Sequence, residues 1–153
     1  MINLKLSKKI LLLFGPLILG GIVGLIISSN IDYQQLIKPP LSPPSTIFPI
    51  VWTILYLLMG ISYYLVNKNG NISNKTRKIY ITQLIVNILW SIFFFIFKWR
   101  LFSILWIILL VSLIILMILE FKKCSKVASY IQIPYLIWTT FATYLTIGIY
   151  LLN

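Results

Sequence analysis

Residues 38–60 read Lys-Pro-Pro-Leu-Ser-Pro-Pro-Ser-Thr-Ile-Phe-Pro-Ile-Val-Trp-Thr-Ile-Leu-Tyr-Leu-Leu-Met-Gly. Five prolines (Pro39, Pro40, Pro43, Pro44 and Pro49) fall within eleven residues. Each fixes φ and removes an N–H, so this stretch predicts a stiff, extended loop rather than a helix or a central strand. The loop feeds a helix carrying Trp52, Tyr56, Met59 and Tyr63, which at i, i+4, i+7 and i+11 share one face. A rigid, lid-like loop beside an aromatic stripe points to a site for a flat, greasy molecule.

The chain around this stretch has lipid for its solvent. It holds 153 residues, 60% of them hydrophobic, with thirteen basic and two acidic side chains and a mean hydropathy of +1.00. That is too little polar surface to clothe a soluble domain. A helix needs about 20 apolar residues to cross a bilayer, and five runs qualify: residues 10–28, 48–66, 79–97, 101–121 and 127–152. In hydrocarbon each must satisfy its own backbone, so these are helices. The period-2 alternation of a membrane barrel is absent. The expected architecture is an all-α membrane protein. It is one integral membrane domain over residues 1–153, a five-helix bundle whose long proline-rich first loop caps a ligand cavity. The first run follows Lys5, Lys8 and Lys9 but outlasts a signal-peptide core and lacks an Ala-x-Ala site, so it reads as a retained span.

The basic residues orient the bundle. Lys5, Lys8, Lys9, Lys68, Lys75, Arg77, Lys78, Lys122, Lys123 and Lys126 all fall on one side of a five-helix chain, against Lys38, Lys98 and Arg100 on the other. The positive-inside rule then predicts a cytoplasmic N-terminus, with the first loop and the C-terminus outside; the family resemblance given below implies that the membrane is a bacterial cell membrane. The net charge of +11 is juxtamembrane rather than gathered on a folded face, so attraction to anionic lipid explains it and nucleic acid is excluded as a partner. The single cysteine, Cys124, excludes an internal disulfide and reads as a spectator thiol in a basic loop.

Intramembrane polar residues narrow the function. Of the two acids, Glu120 falls at the end of the fourth span and Asp32 in the first loop, and there is no histidine. Proton-coupled antiport, metal catalysis and triad hydrolysis all need groups that are missing here. What remains is Gln83 and Asn87 at i, i+4 in the third span, continued by Trp90 and Ser91, with Thr53, Thr139, Thr140, Thr143 and Thr146 elsewhere. The two amides read either as glue between helices or as ligand contacts. Trp99 and Trp106 read as interfacial anchors. Trp52, Trp90 and Trp138 read as cavity walls, with Ala142 four residues after Trp138 opening space beside its indole. Gly20 and Gly24 form a G-x-x-x-G beside Gly21, and with Gly60 and Gly148 they mark close helix approaches. Packing within the chain is the first reading of these glycines and a homodimer seam the second.

These residues resemble the translocator protein family, also known as tryptophan-rich sensory proteins or peripheral-type benzodiazepine receptors. The likeness lies in Tyr33, Leu36, Lys38-Pro39 and Pro43-Pro44 of the loop, and in Phe48, Val51-Trp52-Thr53, Leu55-Tyr56 and Met59-Gly60 after it. It continues in Gln83-Leu84, Asn87, Trp90 and Phe93-Phe94, then Pro134-Tyr135, Trp138 and Phe141-Ala142, and ends at Leu152-Asn153. The chain departs from the family's usual tryptophans at Asp32 and in the loop at Leu41. Thr146 stands where asparagine is common, and no basic residue follows Tyr150, so no cholesterol role is inferred.

The resemblance implies a receptor or sensor, often dimeric, that binds porphyrins of the protoporphyrin IX type and benzodiazepine- or isoquinoline-type ligands. It requires no cofactor and no metal. The implied ligand-binding residues are Tyr33, Trp52, Tyr56, Asn87, Trp90, Trp138 and Ala142, with Gln83 beside them, and Lys38 within reach of propionates. Two alternatives accompany this reading. One is light- and oxygen-dependent breakdown of protoporphyrin IX in the same pocket, with Trp52 and Trp138 as the catalytic residues. The other is transport of a tetrapyrrole, against which the missing intramembrane carboxylate counts. A structural helper without a ligand would leave the loop and its aromatic box unexplained.

Overall fold

A computed structural model describes residues 5–68, 70 and 72–153, and among these there is no β-strand. Five helical spans are long and apolar enough to cross a membrane. The first is α1 (Leu6–Ile27), prolonged by a 3₁₀ turn over Ser28–Asn30. Next come α2 (Ile47–Asn67) and α3 (Asn74–Ser91), the latter running into a π-turn over Ile92–Ile96. α4 (Arg100–Cys124) is the fourth span, and α5 (Lys126–Ile131) with α6 (Ile133–Leu152) makes up the fifth. α1 packs along α2, α4 packs against α3 and against α6, and α5 packs on α4 and α2.

The boundaries follow local chemistry. Ser73 caps α3 by accepting the Thr76 N–H at 3.0 Å, and Ser125 caps α5 by accepting that of Ala128 at 3.2 Å. Pro49, expected in the loop, lies in the first turn of α2, where a missing N–H costs nothing because that donor has no helical acceptor. The fifth span is not one continuous helix. Pro134 cannot donate back into the preceding turn, so the chain breaks at Gln132 and restarts with that proline near the head of α6. Lys98, with φ of 55°, ends α3 in the left-handed conformation, and the Trp99 N–H reaches back to the Phe93 carbonyl at 3.0 Å.

Ion pairs form within each end of the bundle, as the sidedness of the sequence requires. Glu120 binds Lys123 at 2.7 Å and Lys75 at 3.1 Å, joining the second and fourth connections. Asp32 binds Arg100 at 3.0 Å and Lys98 at 3.3 Å, joining the first and third.

The glycines divide by role. Gly60 lets α2 pass directly over the Leu13 carbonyl of α1, and Gly20 admits the Tyr56 ring. Gly24 has no such neighbour, so the G-x-x-x-G is not a packing pair within the chain. Trp106, expected as an interfacial anchor, instead donates its indole N–H to the Val86 carbonyl at 2.9 Å and ties α4 to α3.

Candidate functional site

At the first-loop end the bundle is hollow. A cavity of about 750 Å³ lies between α1, α2, α3 and α6 beneath the first loop, within the ~300–1,000 Å³ range of ligand pockets. Six of the eight residues expected to bind ligand line it: Tyr33, Trp52, Tyr56, Trp90, Trp138 and Ala142. Four elements bring them together. Trp52 and Tyr56 are one turn apart on α2 with rings 5.6 Å apart, and Trp138 and Ala142 are one turn apart on α6. Trp90 arrives on α3, and Tyr33 folds inward from the loop until it is only 5% exposed.

Asn87 and Gln83 are not on the cavity wall. Both are fully buried one layer behind it. The Tyr56 hydroxyl donates to Asn87 Oδ1 at 2.8 Å, Asn87 Nδ2 donates to the Tyr135 hydroxyl at 2.7 Å, and that hydroxyl donates to Gln83 Oε1 at 2.9 Å. The amides therefore join α3 to α2 and α6, which is the demand that hydrocarbon makes of any buried amide. Tyr56 stands at the junction, with its ring on the cavity and its hydroxyl in the network.

Two wall residues have polar groups without partners. The indole N–H groups of Trp90 and Trp138 are buried and find no acceptor among the described residues. Trp90 is 6% exposed. Both nitrogens are shut off from the cavity as well, so the two rings present carbon surface to it rather than a donor.

Several wall residues escaped the sequence reading. Phe48 stands one turn before Trp52, with its ring 5.1 Å from Tyr33 and 5.8 Å from Trp138, so the stripe was legible one residue further back. Phe95 was not legible. Helical spacing from Trp90 selects Phe94, but the π-turn adds a residue and brings both rings against Trp90, at 5.3 and 6.2 Å. Gly20, Gly21 and Gly24 expose backbone on the α1 wall, between Leu17, Val23, Leu25 and Ile27.

The loop above is pinned on several sides. The Tyr33 hydroxyl donates to the Pro43 carbonyl at 2.9 Å, and Lys38 Nζ donates to the Tyr33 carbonyl at 3.1 Å while lying 4.9 Å over its ring. The Tyr144 hydroxyl donates to the Pro40 carbonyl at 2.8 Å, and Pro39 packs on Gly148. The Asn153 side chain clasps Ile37 by accepting its N–H at 3.0 Å and donating to its carbonyl at 2.9 Å.

Comparison with known proteins gives a consistent result. The TspO/MBR family model matches residues 12–152. Tryptophan-rich protein TspO of Chlorobaculum tepidum is 39% identical over 124 residues, covering 79% of this chain and 78% of that one. The protein of the same name from Archaeoglobus fulgidus is 40% identical over 122 residues, covering 79% of each. The translocator protein homolog of Schizosaccharomyces pombe is 31% identical over 143 residues, covering 90% of this chain and 87% of its own.

Proposed function

The chain belongs to the TspO/MBR family of integral membrane proteins, and from that premise we propose that it is a receptor for a flat, largely apolar tetrapyrrole of the protoporphyrin IX kind. The observation that carries this reading is a 750 Å³ cavity lined by the rings of Phe48, Trp52, Tyr56, Trp90 and Trp138. A porphyrin offers broad faces to Trp52, Tyr56 and Phe48, each stack worth ~0.5–1.5 kcal/mol beyond burial. Synthetic benzodiazepine- or isoquinoline-type ligands share the same feature, a flat body. By the same sequence rule, the N-terminus faces the cytoplasm and the pinned loop faces outward.

A second reading uses the same cavity. Three of the five tryptophans lie on one wall that carries no ionisable side chain besides tyrosine. An indole can give up an electron where no acid or base is at hand, so light- and oxygen-dependent porphyrin breakdown at Trp52 and Trp138 is the enzymatic alternative.

Tryptophan-fluorescence quenching by protoporphyrin IX, in the dark and then under illumination with absorbance recorded, tests both. Saturable dark quenching that weakens in Trp138→Phe supports the receptor. A product spectrum that requires light and intact Trp52 and Trp138 promotes the enzyme. Absence of saturable quenching rejects both.

A further inference from the structure

The cavity is not closed on all sides: its exposed lining runs from Ser28, Gln34 and Thr46 at the loop end down between α1 and α2. Gly21, Gly24 and Leu25 of α1 and Thr53 of α2 are exposed although all four line it. α1 is held to α2 where Gly60 meets Leu13 and where Gly20 meets Tyr56, whereas Gly21 and Gly24 touch nothing that a side chain there would meet. The two helices therefore part beyond Gly20. Thr53 lies six residues into α2 and Gly21 six residues before the end of α1, which at 1.5 Å per residue puts the slot about 9 Å below the helix ends. Its outer neighbours Ile18, Ile22, Ile50 and Ile54 are between 50% and 58% exposed, so this depth is hydrocarbon. At the loop end the chain above the cavity is tethered through Tyr33, Ile37, Pro40 and Asp32.

We propose that the ligand reaches the cavity from within the bilayer, through the slot between the C-terminal half of α1 and the first turns of α2, and that Gly21 and Gly24 set the thickness of what passes. The glycines alone would be only a gap in the wall. A second feature points to an occupant: the gap opens on a 750 Å³ cavity lined by Phe48, Trp52, Tyr56, Trp90 and Trp138. The molecule admitted is therefore a membrane-dissolved, plate-like compound that slides past bare backbone onto an aromatic wall. This inference rests on the receptor reading and adds its route and shape filter.

The test is stopped-flow tryptophan quenching by protoporphyrin IX, in the dark, on full-length protein in lipid nanodiscs, comparing wild type with Gly24→Phe, Gly21→Leu and the loop variant Asp32→Asn. Thermal melting and light scattering would be run on each. In the glycine variants, association should slow tenfold or more and dissociation should slow with it, the ratio changing less than either rate. Asp32→Asn should leave both rates within about twofold. If both folded glycine variants bind at the wild-type rate while Asp32→Asn accelerates binding, the route runs through the loop and the proposal is wrong. A fall in particle mass for Gly24→Phe would show that a second copy of the chain covers the slot, which also overturns it. Wild type that never quenches saturably removes the receptor reading itself, an outcome distinct from unchanged rates in a protein that does bind.

Discussion

The two ends of this bundle are built from the same residue types and do opposite things with them. At the basic end, Tyr63 and Tyr80 stack at 3.7 Å and 7°, with Phe121 lying 6.4 and 6.1 Å from their rings. Met59, Ile114 and Met117 fill the remainder, each fully buried. At the loop end, Trp52, Trp90 and Trp138 stand apart around a 750 Å³ space. One aromatic stripe on α2 serves both ends, since Trp52 and Tyr56 face the cavity while Met59 and Tyr63 face the packed core. Aromatic periodicity therefore does not decide whether rings close on one another or on a ligand. The opposing helix decides it. Tyr80 and Phe121 advance to meet Tyr63, whereas the α1 face across the cavity from Trp52 and Tyr56 carries Gly20, Gly21 and Gly24 and no aromatic ring.

If that contrast is real, damage at the packed end removes stability and damage at the hollow end removes binding. The largest effect is expected from Phe121→Ala, which deletes a fully buried ring from the stack. A loss of about 3–5 kcal/mol follows from a cavity that rigid neighbours cannot collapse into. It would appear as a much lower melting temperature in detergent, with porphyrin affinity retained in the molecules that stay folded. A selective loss of affinity without loss of stability would break the contrast.

The complementary variant is Trp138→Phe. It keeps a ring but removes an N–H that has no protein partner, so the melting temperature should hold or rise. Ligand affinity should fall roughly 2- to 13-fold, the equivalent of one aromatic stack worth ~0.5–1.5 kcal/mol, as read by quenching of the remaining tryptophans. A melting temperature that drops as far as that of Phe121→Ala would mean that Trp138 is packing, not wall.

Tyr56→Phe sharpens the boundary between the two ends. It removes the donor to Asn87 Oδ1 while leaving the cavity face of the ring intact. The stranded amide oxygen should lower stability by about 1–2 kcal/mol, with affinity changed no more than about threefold. A larger effect on affinity than on melting would show that the hydroxyl faces the ligand rather than the network.

How much of this was legible follows the same physical divide. The five spans and the one-sided run of basic residues were readable because hydrocarbon imposes length and charge rules on any sequence. Trp52, Trp90 and Trp138 were readable as wall because large rings stood out from aliphatic surroundings, whereas Tyr33 came only with the family resemblance. Gln83 and Asn87 were ambiguous, since an amide in a membrane helix looks the same whether its partner is a tyrosine or a ligand. The partner Tyr135 lies 48 residues from Asn87 in the chain. Phe95 was hidden because a π-turn shifts the register without any glycine to announce it, whereas the break at Gln132 was announced by Pro134 and passed over in reading residues 127–152 as one span. The glycine wall was seen as a motif but assigned to packing, because sequence carries no record of what a missing side chain leaves open.

The smallest expected effect concerns the fastening of the loop over the hollow end. Asp32 accepts two hydrogen bonds from Arg100 Nη2, at 3.0 and 3.1 Å, and pairs with Lys98 at 3.3 Å. Burial pushes its pKa up, but hydrogen bonds and charge from Arg100 and Lys98 outweigh this and hold it below its ordinary 3.8. A carboxylate depressed in the folded state stabilises fully above its unfolded pKa and loses that contribution as pH falls through the folded value. The advantage of wild type over Asp32→Asn should therefore stay constant from about pH 5 to 8 and shrink only below about pH 4. It should be no more than ~1 kcal/mol, because Lys98 is half exposed and water competes for the pair, and added salt should reduce it further. The measurement is melting temperature against pH for the two proteins at low and high salt. A gap that widened toward acid would mean that Asp32 is protonated in the folded protein, and one far above 1 kcal/mol would make this pair a structural part of the hollow end. A small, salt-sensitive gap with unchanged porphyrin rates leaves the hollow end shaped by rings and backbone, with charge confined to its outer rim.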